Sequence, residues 1–326
     1  NKMKRILVTG GAGMIGANLV KELLRQDYEV LVIDNYYRGK KENLESLGFN
    51  FDNFLLYDLS EGISDKLLDF CKNIEIVYHL ADIVAGIGYV FKNESDIFNQ
   101  NVKINTTIAD LINKATIPKI IYAGTACSFP ESLQSNYSGF KPLSEDQLFP
   151  ASPESGYGWS KLIGQLQYKY LSQKNGIEAI TLMFHNVYGF PCDFSEERSQ
   201  VIPSLVRKVS EAKDGGELVV WGSGNQSRAF VHVRDVVKAL IKVLGVDCSI
   251  NDTIQIGPTE STSIKNIATT LVELSGSNLD IKFDLTKPEG DKARCSDNVL
   301  AKKILDWEPE VSIQEGLAEL LDYYGS

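Results

Sequence analysis

The chain has 326 residues, 43% of them apolar and 23% charged, a balance that fits a globular protein with a sizeable core; it contains no apolar run of membrane-spanning length. A net charge of −10 argues against nucleic acid or an anionic membrane as partner, while leaving room for a local arginine cluster around one anionic ligand. The five cysteines (71, 127, 192, 248 and 295) are odd in number and form no Cys-x-x-Cys pair, which points to reduced thiols in a cytoplasmic setting and to no disulfide frame or metal site.

The first element is a buried parallel strand over Lys4–Val8, so close behind Asn1-Lys-Met-Lys that no signal peptide is expected. Gly10, Gly13 and Gly16 follow, then a helix over Ala17–Arg25. Glycines in such a turn let the backbone approach a pyrophosphate, and the helix N-terminus offers free N–H groups and a positive dipole end. Met14 and Ile15, at the mouth of that helix, join the glycines as expected dinucleotide contacts. A second strand, Glu29–Ile33, runs into Asp34 and Asn35. A carboxylate at Asp34 accepts hydrogen bonds from both adenine-ribose hydroxyls and repels a 2′-phosphate, so NAD is favoured over NADP.

Strands are expected at Phe54–Tyr57, Ile76–Leu80, Lys119–Ala123 and Ala179–Phe184, with helices at Val102–Ala115 and Gly158–Gln173 among them. This alternation predicts an α/β fold, a Rossmann-type doubly wound parallel sheet. Beyond Tyr188 a polar loop over 191–200 leads to a helix at Ile202–Lys213 and short strands around Leu218–Trp221, Phe230–Val233 and Thr253–Ile256. Helices follow at Ile264–Ser275, Asn298–Leu305 and Ile313–Tyr323. The expected division is an NAD-binding domain over 1–188 plus about 229–258, and a smaller C-terminal substrate-binding cap over about 189–228 and 259–326.

Tyr157 and Lys161 stand at i and i+4, one turn apart on a helix face. A nearby ammonium favours the phenolate, so Lys161 is expected to lower the Tyr157 pKa toward the range useful for acid–base work. Thr125, at the C-terminal end of a strand, is placed to bond the same substrate hydroxyl. His79 and His232 read as packed core histidines, and His185 as a core histidine near the nicotinamide end.

Over nearly its full length the chain resembles the extended short-chain dehydrogenase/reductase family of NAD-dependent nucleotide-sugar epimerases and dehydratases. The resemblance rests on the glycine turn, Asp34, Asp58-Leu59, His79-Leu80-Ala81, Thr125/Tyr157/Lys161, Phe184-His-Asn-Val-Tyr-Gly189 and Arg228-Ala-Phe-Val-His-Val-Arg-Asp235. Several segments are most similar to its GDP-mannose 3,5-epimerase branch: Ala81-Asp-Ile-Val-Ala-Gly86-Ile-Gly88, Thr125-Ala-Cys127-Ser-Phe-Pro130 and Pro288-Glu-Gly-Asp-Lys-Ala-Arg294-Cys-Ser-Asp-Asn298. Ser199-Gln200-Val201-Ile-Pro203 is similar to the GDP-fucose synthase branch.

The resemblance implies a retained NAD contacted by the glycine turn, Asp34, Asn35, Asp58, Leu59, Leu80, Ala81, Tyr157 and Lys161. It implies transient oxidation of a sugar, normally at C4, by Tyr157 with Lys161 and Thr125, and inversion at C3 or C5 or both through Cys127 on a GDP-mannose-like substrate. Gly86, Asn186, Gln200, Val201, Arg228 and Arg294 are the implied substrate contacts, and a homodimer through the helices near Ile97–Lys114 and Tyr157–Gln173 is the implied assembly. Two alternatives remain open: a UDP-sugar 4-epimerase using only the triad, and a non-catalytic NAD-binding sensor. Gln200 falls where these branches carry a Lys or a His, and an amide does not exchange protons near neutral pH. Water, Lys208 or another cap residue then supplies the second proton, or a single centre inverts. Ala126-Cys127 in place of the dehydratases' Asp-Glu and the decarboxylases' nearby Glu argues against both of those reactions.

Overall fold

Alternate residues of the first strand, β1 (Arg5–Thr9), feed opposite sides of the molecule: Ile6 and Val8 enter one apolar core and Leu7 another. The structure, a computed structural model, describes residues 3–84, 87–134, 141–197, 199–247, 253–287, 289 and 293–326, without the side chains of 87 and 88. After β1 come α1 (Met14–Arg25), β2 (Glu29–Asp34), α2 (Lys41–Glu45), β3 (Phe54–Leu56), α3 (Asp65–Phe70), β4 (Ile76–His79), α4 (Ile87–Lys92) and α5 (Glu94–Ala115). Next are β5 (Lys119–Thr125), α6 (Gly156–Asn175), β6 (Glu178–Phe184), β7 (Asn186–Tyr188), α7 (Val201–Glu211), β8 (Glu217–Trp221), β9 (Ser227–Arg228) and β10 (Phe230–His232). The chain closes with α8 (Val233–Lys242), β11 (Thr253–Ile256), β12 (Thr262–Ser263), α9 (Ile264–Ser275), β13 (Asp280–Asp284), α10 (Val299–Leu305) and α11 (Ile313–Gly325).

Seven strands form one parallel sheet in the order β11-β6-β5-β4-β1-β2-β3, the Rossmann-type doubly wound arrangement expected. The chain runs outward from β1 to β3, then restarts at β4 on the other side, so the loops after β1 and β4 diverge to opposite faces. A cleft belongs at this switch point. Leu19 and Leu23 of α1, with Val236 and Leu240 of α8, cover one face of the sheet; Ile108, Leu111 and Ile112 of α5, with Tyr168 of α6, cover the other. A further core joins Leu205 and Val206 of α7, Leu218 and Val220 of β8, Ile267 and Leu271 of α9, and Leu317 and Leu320 of α11. Three two-stranded pairs (β10-β7, β12-β9 and β13-β8) accompany it.

Helix α8 was not foreseen: the valine-rich run after Phe230 reads as strand, yet only Phe230–His232 is extended. His232 caps α8 by accepting the Arg234 N–H, and the buried Tyr78 hydroxyl donates to Leu240 O at 2.7 Å, pinning the helix to the sheet. Asp235 is buried and accepts the backbone N–H groups of Glu310 and Val311 at 3.1 and 3.0 Å. The Arg228–Asp235 segment therefore also ties down the chain between α10 and α11. Among the described residues no helix is long and apolar enough to cross a membrane.

Candidate active site

The turn after β1 is shaped by what a side chain would strike. Gly10 has φ +69°, and a Cβ there would lie 3.0 Å from Ala81 N, so its absence lets the β1 and β4 loops touch. A Cβ on Gly16 would lie 2.1 Å from Gly10 O, which fixes close packing of α1 on the turn. Gly13 differs, since the nearest protein atom to its added Cβ would be Gly10 O at 3.4 Å. Protein packing does not demand glycine there, and the missing side chain leaves the start of α1 open to an approaching ligand. No side chain caps α1 and no acidic residue occupies its first turn, so its positive end faces the cleft uncompensated. That cradle fits a pyrophosphate.

Asp34 Oδ2 accepts the Ala12 N–H at 3.0 Å and Oδ1 the Tyr36 N–H at 2.8 Å, leaving each oxygen a lone pair for a diol. Burial raises the Asp34 pKa, against the lowering effect of backbone bonds from Tyr36, Ala12 and Asn35. Asp58 accepts both the N–H and the hydroxyl of Ser60, shaping the turn that carries Leu59.

A cleft of about 1730 Å³ runs from this turn to β8. Gly10, Gly13, Met14, Ile15, Gly16, Asp34, Asn35, Asp58, Leu59, Leu80 and Ala81 line it at the cofactor end. Thr125, Cys127, Tyr157, Lys161, Asn186, Gln200, Val201, Arg228 and Arg294 line the same cleft. Gly86 lies outside the described residues. Lys208 also reaches the cleft, but its Nζ donates to Val219 O at 3.0 Å and sits over the Trp221 ring.

Thr125 ends β5, and its Oγ1 accepts the Cys127 N–H at 3.2 Å, so one short turn presents both side chains. Helix α6 packs directly on that turn: a Cβ at Gly158 would lie 2.3 Å from Cys127 O. Ser155 caps α6 through Gly158 N–H, and Tyr157 and Lys161 project one turn apart. Both meet Asp82, just beyond β4. Asp82 Oδ2 accepts the Tyr157 hydroxyl at 3.3 Å and the Lys161 ammonium at 3.0 Å, where Lys161 is only 3% exposed.

This carboxylate overturns one expectation. Burial first, then Asp82 and Cys127, hold the Tyr157 pKa well above the usual tyrosine value; Lys161 does not bring it down. Burial works against the Lys161 ammonium, but Asp82 and the Tyr122 phenol reverse this and raise its pKa. In the sequence Asp82 stands out only as part of a segment that resembles the family. The available signal was a carboxylate immediately after Leu80-Ala81, at the C-terminal end of a sheet strand, where α/β ligands gather.

Arg294 is buried and donates to Gln134 Oε1 at 3.1 Å, to Asn186 Oδ1 at 3.3 Å and toward Cys127 Sγ at 3.5 Å. Of the expected substrate residues, Arg294 thus links Asn186 to the Cys127 thiol. Arg228 lies elsewhere on the wall, donating to Ser227 O and Glu289 O. Gln200 stands at the N-terminal cap position of α7 without a side-chain capping bond, and Val201 begins the helix.

His79 is fully buried between Thr9 Oγ1 (2.7 Å) and Asn105 Oδ1 (2.9 Å), and burial lowers its pKa to about 4. His185 is bonded to Gln255 and lowered to about 3, by burial and then by Arg294. Both imidazoles are neutral when folded and protonate near pH 6.5 when unfolded, so their stabilisation is complete above pH 6.5 and is lost as pH falls toward 4 and 3. Each is expected to cost about 2 kcal/mol of unfolding free energy between pH 6.5 and 5. Urea unfolding at the two pH values checks this: His185→Gln should remove its share of the slope, and an unchanged slope would contradict the assignment.

The NAD dependent epimerase/dehydratase family model matches residues 6–257. The chain is 28% identical to GDP-mannose 3,5-epimerase 1 of Oryza sativa subsp. indica over 315 residues, 96% of this chain and 79% of that protein. It is 29% identical to a putative UDP-glucose 4-epimerase of Methanocaldococcus jannaschii over 320 residues, 98% of this chain and 97% of the relative. Its structure is similar to UDP-glucose 4-epimerase of Thermotoga maritima with UDP-glucose, with a TM-score of 0.86, 26% identity and 98% of each chain covered. It is also similar to UDP-glucuronic acid 4-epimerase of Bacillus cereus in complex with UDP-glucuronic acid and NAD, with a TM-score of 0.83, 27% identity, and 98% of this chain and 99% of that one covered.

Proposed function

Because the chain belongs to the NAD-dependent epimerase/dehydratase family, we propose that it is a nucleotide-sugar epimerase that transiently oxidises C4 and inverts a flanking carbon through Cys127. The observation that carries this reading is the Cys127 thiol on the same short turn as Thr125, facing the cleft that Tyr157 and Lys161 also line. NAD, when bound, takes a hydride from the sugar carbon and returns it. Tyr157 accepts the sugar hydroxyl proton, and Thr125 holds that hydroxyl in line. A ketone at C4 makes the hydrogens at C3 and C5 acidic, because the resulting enolate spreads the charge; Cys127 removes the proton from one face, and water or a cap residue such as Lys208 delivers one to the opposite face, which inverts the centre.

Gly10, Gly13, Gly16, Met14 and Ile15 hold the pyrophosphate of the cofactor, and Asp34 and Asn35 its adenine ribose; Asp58, Leu59, Leu80 and Ala81 complete its bed. Arg228 and Arg294 grip the diphosphate of a GDP-mannose-like substrate, each able to bond two oxygens at once. Asn186, Gln200, Val201 and Gly86 orient the sugar. The cofactor unit is 1–188 plus about 229–258, and the remainder forms the cap. The reading includes a cytoplasmic homodimer joined through α5 and α6.

A UDP-sugar 4-epimerase is the second reading, favoured by the neutral Gln200 amide and by the 4-epimerases among the similar proteins. Turnover of a nucleotide-sugar panel in D₂O separates the two. Inversion beside the ketone puts deuterium on C3 or C5, and Cys127→Ala slows that uptake by about 10²–10⁴-fold. Inversion at C4 with no deuterium on carbon would contradict the Cys127 reading.

A further inference from the structure

A hydride can come back to its sugar only if the reduced coenzyme stays bound in the meantime. In a doubly wound sheet a dinucleotide lies across the carboxyl ends of the strands, an edge that the sheet itself leaves open. Here the strand order β4-β1-β2 puts the glycine turn between the segments that follow β4 and β2. Arg38, from the β2 side, donates through Nη1 to the Val84 carbonyl on the β4 side. The Tyr37 hydroxyl meets the Tyr89 hydroxyl of α4 at 2.8 Å. A bond between those two sides crosses over the strand in the middle. All four residues line the same cleft as Gly10, Gly13 and Asp34.

Each end of this crossing is anchored in its own half of the sheet. On the β2 side Gly39 packs so closely on the glycine turn that a Cβ would lie 2.7 Å from the Ala12 carbonyl carbon. The Lys40 N–H and the Asn43 side-chain amide both donate to Ala12 O, at 3.1 and 2.8 Å. On the β4 side the Asn101 side chain of α5 accepts the Ile83 N–H at 2.7 Å and donates to Ile83 O at 3.2 Å, which fixes the residue just before Val84. The links from Tyr37 and Arg38 can therefore break while both anchors stay intact.

We propose that Tyr37 and Arg38 form a strap across the bound dinucleotide, with Tyr89 and the Val84 carbonyl as its catch, and that this strap sets how fast the coenzyme enters and leaves. This rests on the reading that the glycine turn and Asp34 hold the cofactor. The strap joins protein to protein. Bonds made alike with and without cofactor favour neither form, so they slow entry and exit together and leave affinity unchanged. A direct contact from Arg38 to the cofactor would instead act on affinity, mainly through release.

Stopped-flow mixing with NADH, followed by its fluorescence, gives the entry rate, and displacement of preloaded NADH by excess NAD gives the exit rate. Arg38→Met keeps the apolar stem and should raise both rates by about tenfold or more. Tyr37→Phe should raise both by about 2–10-fold, with the Kd of either variant within about twofold of wild type. Tyr89→Phe breaks the same bond as Tyr37→Phe, so the double variant should be no faster than either alone. Circular dichroism reports the folding of each variant.

Faster exit with unchanged entry, and so a weaker Kd, overturns the strap and makes Arg38 a direct cofactor contact. A wild-type chain that takes up no NADH overturns the cofactor reading and the strap together. Normal uptake by wild type, with unaltered rates in folded Arg38→Met and Tyr37→Phe, overturns the strap alone.

Discussion

Tyr157→Phe is expected to slow reduction of bound NAD by a nucleotide sugar by about 10²–10⁴-fold while leaving the fold in place. The substitution removes one oxygen from a side chain that is otherwise packed with Val90 and Ile97, so the apolar contacts survive. Asp82 keeps its ion pair with Lys161 at 3.0 Å, and no buried charge is stranded. The lost bond to Asp82 is worth about 1 kcal/mol of stability, small beside the kinetic effect. Absorbance at 340 nm follows the reduction and thermal unfolding follows the fold. An unchanged rate would remove Tyr157 from the chemistry.

Gly13→Ala and Gly16→Ala are expected to fail in opposite ways. At Gly16 the new methyl would lie 2.1 Å from Gly10 O and 2.6 Å from Gly11 Cα, both backbone atoms that cannot rotate aside. Overpacking of a core typically costs about 1–3 kcal/mol, and a clash with backbone lies at or beyond the upper end, so this variant should lose much of its folded population. At Gly13 the methyl meets only Gly10 O, at 3.4 Å, and stability should hold within about 1 kcal/mol. What it fills is the approach to the uncapped start of α1, so NAD binding, read by fluorescence titration with NADH, should weaken by about tenfold or more. Normal NAD affinity in a stable Gly13→Ala chain would contradict the cradle.

The contrast between those glycines also shows what was legible in the chain. Their spacing, and the apolar strands on either side, identify a parallel sheet because burial on both faces forces continuous runs such as Ile6-Leu-Val8 and Val30-Leu-Val-Ile33. Most strands lie within a few residues of their expected bounds for the same reason, whereas α5 begins at Glu94, eight residues before the expected Val102, because its first turns are polar. Helix α8 was hidden because β-branched residues, Val233, Val236 and Val237, carry a strand-like signature that packing against the sheet overrides. Strand β13, with its Asp280-Ile-Lys-Phe-Asp284 alternation, escaped as well; it is a short partner of β8, and three of its five residues are charged.

At the site, which residues line the cleft was legible, and which side chains distant in sequence meet there was not. Thr125, Tyr157 and Lys161 announce themselves by spacing and by strand ends. Asp82 does not, because its meaning depends on which ammonium the fold brings to it. The expectation of a lowered Tyr157 pKa failed for that reason: it counted the cation one helical turn away and not the carboxylate arriving from β4.

In the proposed reaction a hydride is lent to retained NAD and given back to the same sugar. The most direct test uses nucleotide sugars carrying deuterium at C4, turned over with unlabelled NAD. The epimerised product should keep its C4 deuterium, and none should enter solvent or added free coenzyme. Loss of the label to water, or epimerisation at full rate by chain stripped of NAD, would contradict it.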